Sequence, residues 1–348
     1  LMSTAGIAAA DPAAVPDVAG RRRGPSRWVV RRGLAALGTL AFVVVFNFFL
    51  FRVLPGDPAR NLTRNRQVPA EQVEALRRDF GLDQPLPQQF VTYLGNLLRG
   101  ELGISFKFRA PVAEVIADRL WPTLLLVGTG ILIASMVGVY LGIRSAWNRG
   151  GRFDTVSTGV SLTLYSMPEF WLGLLLLAVF AVGMGPIPGL FPTGGLITPG
   201  LDPASLEGVL DIAHHLVLPV TTLALVFLAE YHLVMRSSLL DELKEDYLVT
   251  ARAKGLRDAD VRRRHAVPNA MLPTTTLIAL NLGFVVSGAI TIETVFSIPG
   301  LGLLTYEALR VPDYPLLQGL FLVFSVGVIV ANFVADLLYG RLDPRVRQ

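Results

Sequence analysis

Six predominantly apolar runs of about 20 residues or more recur along this 348-residue chain, and they constrain its fold more than any other feature. They cover residues 32–51, 122–143, 157–183, 216–236, 272–295 and 316–339. At about 1.5 Å of rise per residue, each is long enough to cross the roughly 30 Å hydrocarbon core of a bilayer. Lipid offers no partner to a backbone N–H or C=O, so such runs must be helices or closed barrels. Their length selects helices. The composition agrees: 52% of residues are hydrophobic, mean hydropathy is +0.52, and 17% are charged, against about a quarter in a soluble domain. The expected fold class is an all-α integral membrane protein with six transmembrane helices.

An even number of crossings puts both termini on one side, and charge says which. Arginine and lysine number 6 in residues 1–32, 3 in 144–156, 8 in 236–271 and 3 in 340–348. Residues 184–215 carry none, and 296–315 carry Arg310 alone. Positive charge in short loops marks the cytosolic side, so both termini and the 237–271 loop of this multi-pass chain are expected in the cytosol. Residues 52–120 carry 10 basic residues against 8 acidic ones; a segment this long translocates largely regardless of charge.

That segment is patterned as a small extracytoplasmic helical subdomain between the first and second spans. "PAEQVEALRRDFGL" (69–82) places Val73, Leu76 and Phe80 at helical spacing between Pro69 and Gly81. "LPQQFVTYLGNLLRG" (86–100) repeats the device, with Pro87 opening, Phe90, Leu94 and Leu97 on one face, and Gly100 closing. Short extended pieces are expected around "LGISFKF". Packing on the helix ends and contact with an external partner both fit the segment. Residues 1–27 form a tail rich in Ala, Pro and Gly, of disordered composition. The first helix spans 28–51 and is read as uncleaved, since its apolar core exceeds a signal h-region and no small-x-small site follows. The core of five further helices occupies 121–340, and 341–348 is a second cytosolic tail. The loop 184–215, punctuated by Pro and Gly, reads as a turn-rich lid followed by a short helix opened at Asp202-Pro203.

Much chemistry is excluded. The chain has no cysteine, so disulfides and thiolate sites are absent. His214 and His215 are adjacent, and neighbours on a helix face different ways, which disfavours a shared metal. No metal site and no catalytic residue is expected. The basic residues are scattered over short loops without interleaved aromatics, unlike a nucleic-acid surface. The three lysines, Lys107, Lys244 and Lys254, follow Phe106, Leu243 and Ala253. None ends a glycine-rich phosphate loop, so any ATP that drives this chain is bound elsewhere.

Ionisable groups inside spans are costly and are functional candidates by default. Glu169 stands beside Pro168, which is expected to kink the third span. Glu230 and His232 lie in the fourth, and Glu293 near the end of the fifth. Each is a candidate for lining a polar conduit, with ion pairing or helix contact as the structural alternative. Gly138-x-x-x-Gly142 has the spacing that lets two helices approach closely.

The basic loop holds the most distinctive stretch, "DYLVTARAKGLRDADVRRRHAVPNAMLP" (246–273). Asp246 suits an N-cap, "YLVTARAK" has no helix breaker, and Gly255 supplies a C-terminal stop. A second short helix is expected from Asp258 or Asp260 through Arg264, with Pro268 and Pro273 leading into the fifth span. The helix–Gly–helix hairpin would turn Ala251, Ala253 and Gly255 outward. An amphipathic interfacial loop and a plug for a groove on another protein both fit this pattern.

"DYLVTARAKGL" followed by "RHAVPNAMLP" resembles the cytosolic coupling loop of binding-protein-dependent ABC transporter permeases, specifically the oligopeptide/dipeptide importer branch. Their general pattern is Glu-Ala-Ala, three residues, Gly, nine residues, Ile-x-Leu-Pro. Ala251, Gly255 and Pro268 fit it, whereas Val249, Thr250, His265 and Val267 depart. The resemblance extends to "LPGDPA" (54–59), "FGLDQPLPQQFVTYLGNLLRGELGISF", "IETVFSIPGLGLLTYEAL" (292–309) and the terminal "DLLYGRLDPRVR". It covers the chain from about residue 28.

The resemblance implies a type I importer fold and a permease that moves peptides or related small solutes from an extracytoplasmic binding protein to the cytosol by alternating access. It implies a second homologous permease, two ATPase subunits that hold ATP and Mg, and no cofactor on this chain. Asp246, Tyr247, Thr250, Ala251, Arg252, Ala253, Lys254, Gly255 and Leu256 would couple to an ATPase subunit. An ion-gradient-driven secondary transporter is the competing reading. It calls for inverted repeats with interrupted helices and mid-membrane charges, and no clear repeat is visible.

Overall fold

The apolar runs fold into long helices, as a backbone in lipid requires. The computed structural model describes residues 25–53, 84–184, 187–285 and 289–342. Helix α1 is Pro25–Val53, α2 Leu86–Leu98, α3 Val112–Trp147, α4 Arg152–Ser166 and α5 Glu169–Leu176, the last continuing as a π-helical segment Leu177–Val182. A two-residue β pairing joins Gly183–Met184 to Ile187–Pro188. Then come α6 (Leu206–Glu242), α7 (Asp246–Ala253), α8 (Asp258–Asp260), a π-helical segment Val261–Ala266, α9 (Val267–Phe284), α10 (Ile290–Val295), α11 (Leu301–Arg310) and α12 (Tyr314–Leu342). The expected helix at 69–82 and the "LPGDPA" stretch lie outside the described residues.

Among the described residues, four helices are long and apolar enough to cross a membrane: α1, α3, α6 and α12. The bent pair α4–α5 makes a fifth. Partner residues give the running directions. Gly130, Gly138 and Gly142 of α3 face Leu223, Tyr231 and Met235 of α6, so these two helices run parallel. Asp154 and Ser161 of α4 meet Arg236 and His232, and Thr274 and Asn281 of α9 meet Met235 and Tyr231. Both α4 and α9 are therefore antiparallel to α6. Asn47 and Arg32 of α1 reach Gln318 and Asp336, which makes α1 antiparallel to α12.

The α3–α6 contact is the tightest. Gly130, Ala134, Gly138, Gly142 and Ala146 recur every fourth residue on α3, and all are buried. A Cβ on Gly138 would lie 2.8 Å from both the Leu228 carbonyl oxygen and Tyr231 Cβ. One on Gly142 would lie 2.7 Å from Met235 Cβ and 2.9 Å from the His232 carbonyl oxygen. Only the missing side chains let the two backbones come this close.

Several expected boundaries are corrected. The third span, 157–183, is not one helix. It breaks at Met167–Pro168 and its halves stand at 103°, because proline lacks the N–H that would continue α4 and its ring excludes the preceding helical turn. The short helix expected at Asp202-Pro203 instead opens at Ser205, whose hydroxyl accepts from Gly208 N. It then continues unbroken through the fourth span. The fifth span, 272–295, is divided, since α9 ends at Phe284 and Ala289 is non-helical at φ −106°, ψ 82° before α10 starts. The second span begins ten residues earlier than expected, at Val112.

The described part of the expected subdomain packs on the bundle. Helix α2 keeps its expected face, and Phe48 of α1 meets Phe90 and Tyr93 at ring-centre distances of 5.1 and 5.5 Å. Gly100 at φ 79° turns the chain out of α2, as its position predicts. Beyond it, the "LGISFKF" piece forms a single bridge, Ile104 to Pro111. Buried Asp313 binds Ser105 Oγ (2.6 Å) and Lys107 N (3.0 Å), pinning that piece to the α11–α12 corner. Phe51, Val112, Ile116, Leu301, Leu304 and Leu317 form the apolar core beneath it.

Gly142→Leu is expected to lower stability by about 1–3 kcal/mol or more, because the added atoms meet main chain that has no room to move. Gly128→Ala, where an added Cβ meets nothing within 4 Å, should leave it unchanged. A melting series of the two variants in detergent checks the pair, and equal melting points would refute the close-packed seam.

Candidate functional site

The 246–273 stretch is a hairpin at the end of the bundle where α3 and α6 finish. Helix α7 begins one residue earlier than a cap at Asp246 implies: Glu245 is its N-cap and Asp246 its first residue. Its end is built by Gly255, at φ 82°. Gly255 N donates to Arg252 O (2.9 Å) and Leu256 N to Ala251 O (3.4 Å). These are the two bonds of a Schellman stop, which needs a residue free to adopt the left-handed conformation. The expected second helix is not free-standing. It opens at Asp258, passes through the π-helical segment and runs directly into α9, with Pro268 just past the junction, where Val267 N donates back to Arg262 O.

Two residues of α7, Leu248 and Ala251, are buried. They pack with Met235 and Leu239 of α6, Ala146 of α3, and Val261, Ala266 and Ala270. The outward orientation expected for Ala251 is therefore corrected: it is one turn from Leu248 and shares its inward face. Asp246, Tyr247, Thr250, Arg252, Ala253, Lys254, Gly255 and Leu256 remain exposed. Together with Val249 they form the free face, one that mixes small, apolar and basic groups.

Polar contacts fix the hairpin's angle. The Tyr247 hydroxyl donates to Glu242 at the end of α6 and accepts from Asn269 Nδ2 of α9 at 2.8 Å. Partial burial and the bond to the Glu242 carboxylate push the Tyr247 phenol up, so it stays a donor. Arg252 Nε meets Asp258 Oδ1 at 3.3 Å across the Gly255 turn. The Arg262 guanidinium sits 5.2 Å from the Trp147 ring centre at the end of α3. The hairpin is thus tied to three long helices, α3, α6 and α9.

A second cluster, of which the sequence singled out His232 alone, lies beside this end. Arg236 of α6 holds Asp154 of α4 with both arms, Nε to Oδ1 at 2.6 Å and Nη2 to Oδ2 at 2.9 Å. Ser145 Oγ and Gly150 N also donate to Asp154. One turn away, Ser161 Oγ and His232 Nδ1 share a bond of 2.6 Å. No local motif marks these residues, whose meeting depends on how α4 folds back along α6.

The four conduit candidates sit apart. Glu169, at the start of α5, accepts from Thr291 of α10. Glu230 meets Asn281 Nδ2 of α9 at 3.5 Å. His232 is fully buried against Ser161. Glu293 is fully buried too: Thr123 Oγ1 donates to Oε1 (2.9 Å) and Leu303 N to Oε2 (2.9 Å). Its carboxylate thereby caps the N-terminal turn of α11, where the helix dipole favours negative charge. Gly300 and Gly302 leave the room for it, since a Cβ on Gly300 would overlap the carboxylate. Among the described residues, no hydrogen bond or ion pair joins any two of the four. His214 and His215 bind different groups, Leu190 O and Asp211 O, and no cluster of three His, Cys, Asp or Glu assembles among the described residues.

A long-helix bundle with a rigid basic hairpin at one end is the setting in which the family comparison is decisive. Residues 138–348 match the family described as binding-protein-dependent transport system inner membrane component, and residues 26–127 match the N-terminal region described for the same membrane components. The chain belongs to this family. It is 40% identical over 323 residues to a putative peptide permease protein of Brucella suis, covering 92% of this chain and 99% of that protein. It is 37% identical to a glutathione transport system permease protein of Pectobacterium atrosepticum and 36% identical to the dipeptide transport system permease protein of Escherichia coli. Each of these two alignments covers 92% of this chain and 98% of the relative. The chain is thus a multi-pass inner-membrane component of the ABC peptide-importer permease family, and a permease of this kind is a transport subunit rather than an enzyme.

In this permease, Glu293→Ala should strand Thr123 and the first turn of α11 without their acceptor, at a cost of about 1–3 kcal/mol. Thermal unfolding of the purified protein reads this out, and an unchanged midpoint would contradict the capping role.

Proposed function

We propose that this permease is the transmembrane subunit of an ATP-driven importer for peptides or related small solutes. It pairs with a second homologous permease and two ATPase subunits, which carry ATP and Mg. An extracytoplasmic binding protein delivers the solute, and alternating access moves it to the cytosol. The observation that carries the reading is the Gly255-terminated hairpin, tied to α3, α6 and α9 while its outer face stays free. A lever has to be stiff toward the body it moves and open toward the partner that moves it.

Asp246–Leu256 seats in a groove of one ATPase subunit, with Tyr247, Thr250, Arg252 and Lys254 on the contact and Ala251 beneath it as packing. The alternating helix directions support six crossings, with α9 continued by α10 as the fifth, and support both termini on the cytosolic side with the hairpin. Glu169 at the start of α5, with the exposed Thr291 of α10 bound to it, is the leading conduit-lining candidate; Glu230 and His232 contribute if the path widens toward α6. The described extracytoplasmic segments 84–111 and 187–205 face the binding protein. The chemistry named for the relatives, peptides, dipeptides and glutathione, sets the solute class. An ion-gradient mechanism gains no support from the separated placement of the four ionisable residues.

Two measurements test this. Proteoliposomes holding the full complex should take up labelled dialanine or glutathione only with internal ATP; uptake driven by a proton or sodium gradient without ATP would sink the proposal. Gly255→Val forces a β-branched residue into left-handed backbone at about 1–2 kcal/mol. It should cut uptake by roughly tenfold, the rate equivalent of that penalty, while membrane insertion and ATP hydrolysis persist. Normal uptake by this variant would remove the docking assignment.

A further inference from the structure

Helix α4 is attached to the bundle in an unusual way. Asp154 and Ser161 are its buried residues, and both are polar. Most of its large apolar side chains point away: Val156 is 65% exposed, Val160 53%, Leu162 54% and Tyr165 59%, while Phe153 and Leu164 are half-buried. Apolar packing therefore contributes little to holding α4 on α6. In its place stand two polar clasps seven residues apart on α4 and four apart on α6. Arg236 grips Asp154 with both arms, and His232 Nδ1 shares its bond with Ser161.

The other ends of these groups show what the clasps connect. Asp154 also takes Ser145 Oγ of α3 and Gly150 N of the connecting turn. Arg236 follows Met235, which packs with Leu248 and Ala251 of the hairpin. Beyond Ser166, the chain turns through 103° into α5, whose first residue, Glu169, holds Thr291 of α10. A continuous route thus runs from the hairpin through α6 and the Arg236–Asp154 fork to α4 and the broken span. A charged fork transmits displacement along its axis and fixes register.

We propose that the Asp154–Arg236 fork, seconded by Ser161–His232, is the positioning device through which α6 carries α4 and the α4–α5 break during the transport stroke. Neither residue touches solute; they act on the path through α4. The inference rests on the importer reading above.

The test uses the complete complex and a readout that needs no identified solute: stimulation of ATP hydrolysis by the binding protein, a signal that has to cross the permease. Asp154→Asn keeps the shape and removes the charge. It should assemble with its partners and retain basal hydrolysis, yet lose at least about fivefold of the stimulation, the lower range of typical coupling between sites. Arg236→Lys keeps the charge and loses the fork, and should fall between the two. The exchange Asp154→Arg with Arg236→Asp should recover part of the loss. Failure of Asp154→Asn to assemble, or loss of basal and stimulated hydrolysis in equal proportion, would mean that the fork merely holds the fold and would overturn the proposal. Stimulation as in the wild type would overturn it as well. A wild-type complex that shows no stimulation would overturn the importer reading, and the device with it, whereas a defect confined to the variants speaks to the fork alone.

Discussion

The close approach of α3 and α6 is the constraint on which the rest of the structure depends. In lipid there is little hydrophobic gain from pressing two apolar helices together, so contact relies on fit. The stripe Gly130, Ala134, Gly138, Gly142 and Ala146 removes the side chains that would separate the backbones. Leu223, Tyr231 and Met235 fill the vacated groove. Once these two helices are fused, everything else has a frame. Helices α4 and α9 lie back along α6, the hairpin packs beneath its end, and Thr123 near the start of α3 helps hold Glu293.

Around that frame the protein mixes two kinds of joint. Apolar clusters hold the hairpin and the α11–α12 corner. Polar clasps hold α4, and the buried Glu293 carboxylate ties α10 to α11. Hydrogen bonds between charged groups have sharp geometry and small contact area, so they set orientation where broad apolar faces set adhesion. The breaks at Met167–Pro168 and Ala289 lie in the elements held in this polar way. For the alternating access proposed above, rods joined by oriented polar contacts are a suitable construction.

The sequence was legible where the physics is local. Helix α2 with its Phe90, Leu94 and Leu97 face, the Gly255 stop and the close packing at Gly138 and Gly142 follow from turn chemistry, periodicity and side-chain size. The kink at Pro168 was foreseeable, though its 103° angle was not. The expected single helices over 157–183 and 272–295, the separate short helix at Asp202-Pro203 and the outward Ala251 were misread for a common reason. Hydropathy reports that a segment avoids water and says nothing of whether it is continuous or which neighbour it meets. Asp154 and Arg236 went unnoticed because nothing within a few residues of either one names the other, 82 positions away in the chain.

What the sequence determined by itself is the solvent of this protein and its family. Long apolar runs leave the backbone no option but helices in a membrane, and the 246–273 wording is specific enough to carry a resemblance. What only the tertiary structure decided is which distant groups meet. It brought Arg236 onto Asp154 and Glu293 onto the first turn of α11, turned Ala251 inward and left the rest of the hairpin free. Those pairings join residues far apart in the chain and are set by helix packing, which local periodicity does not encode.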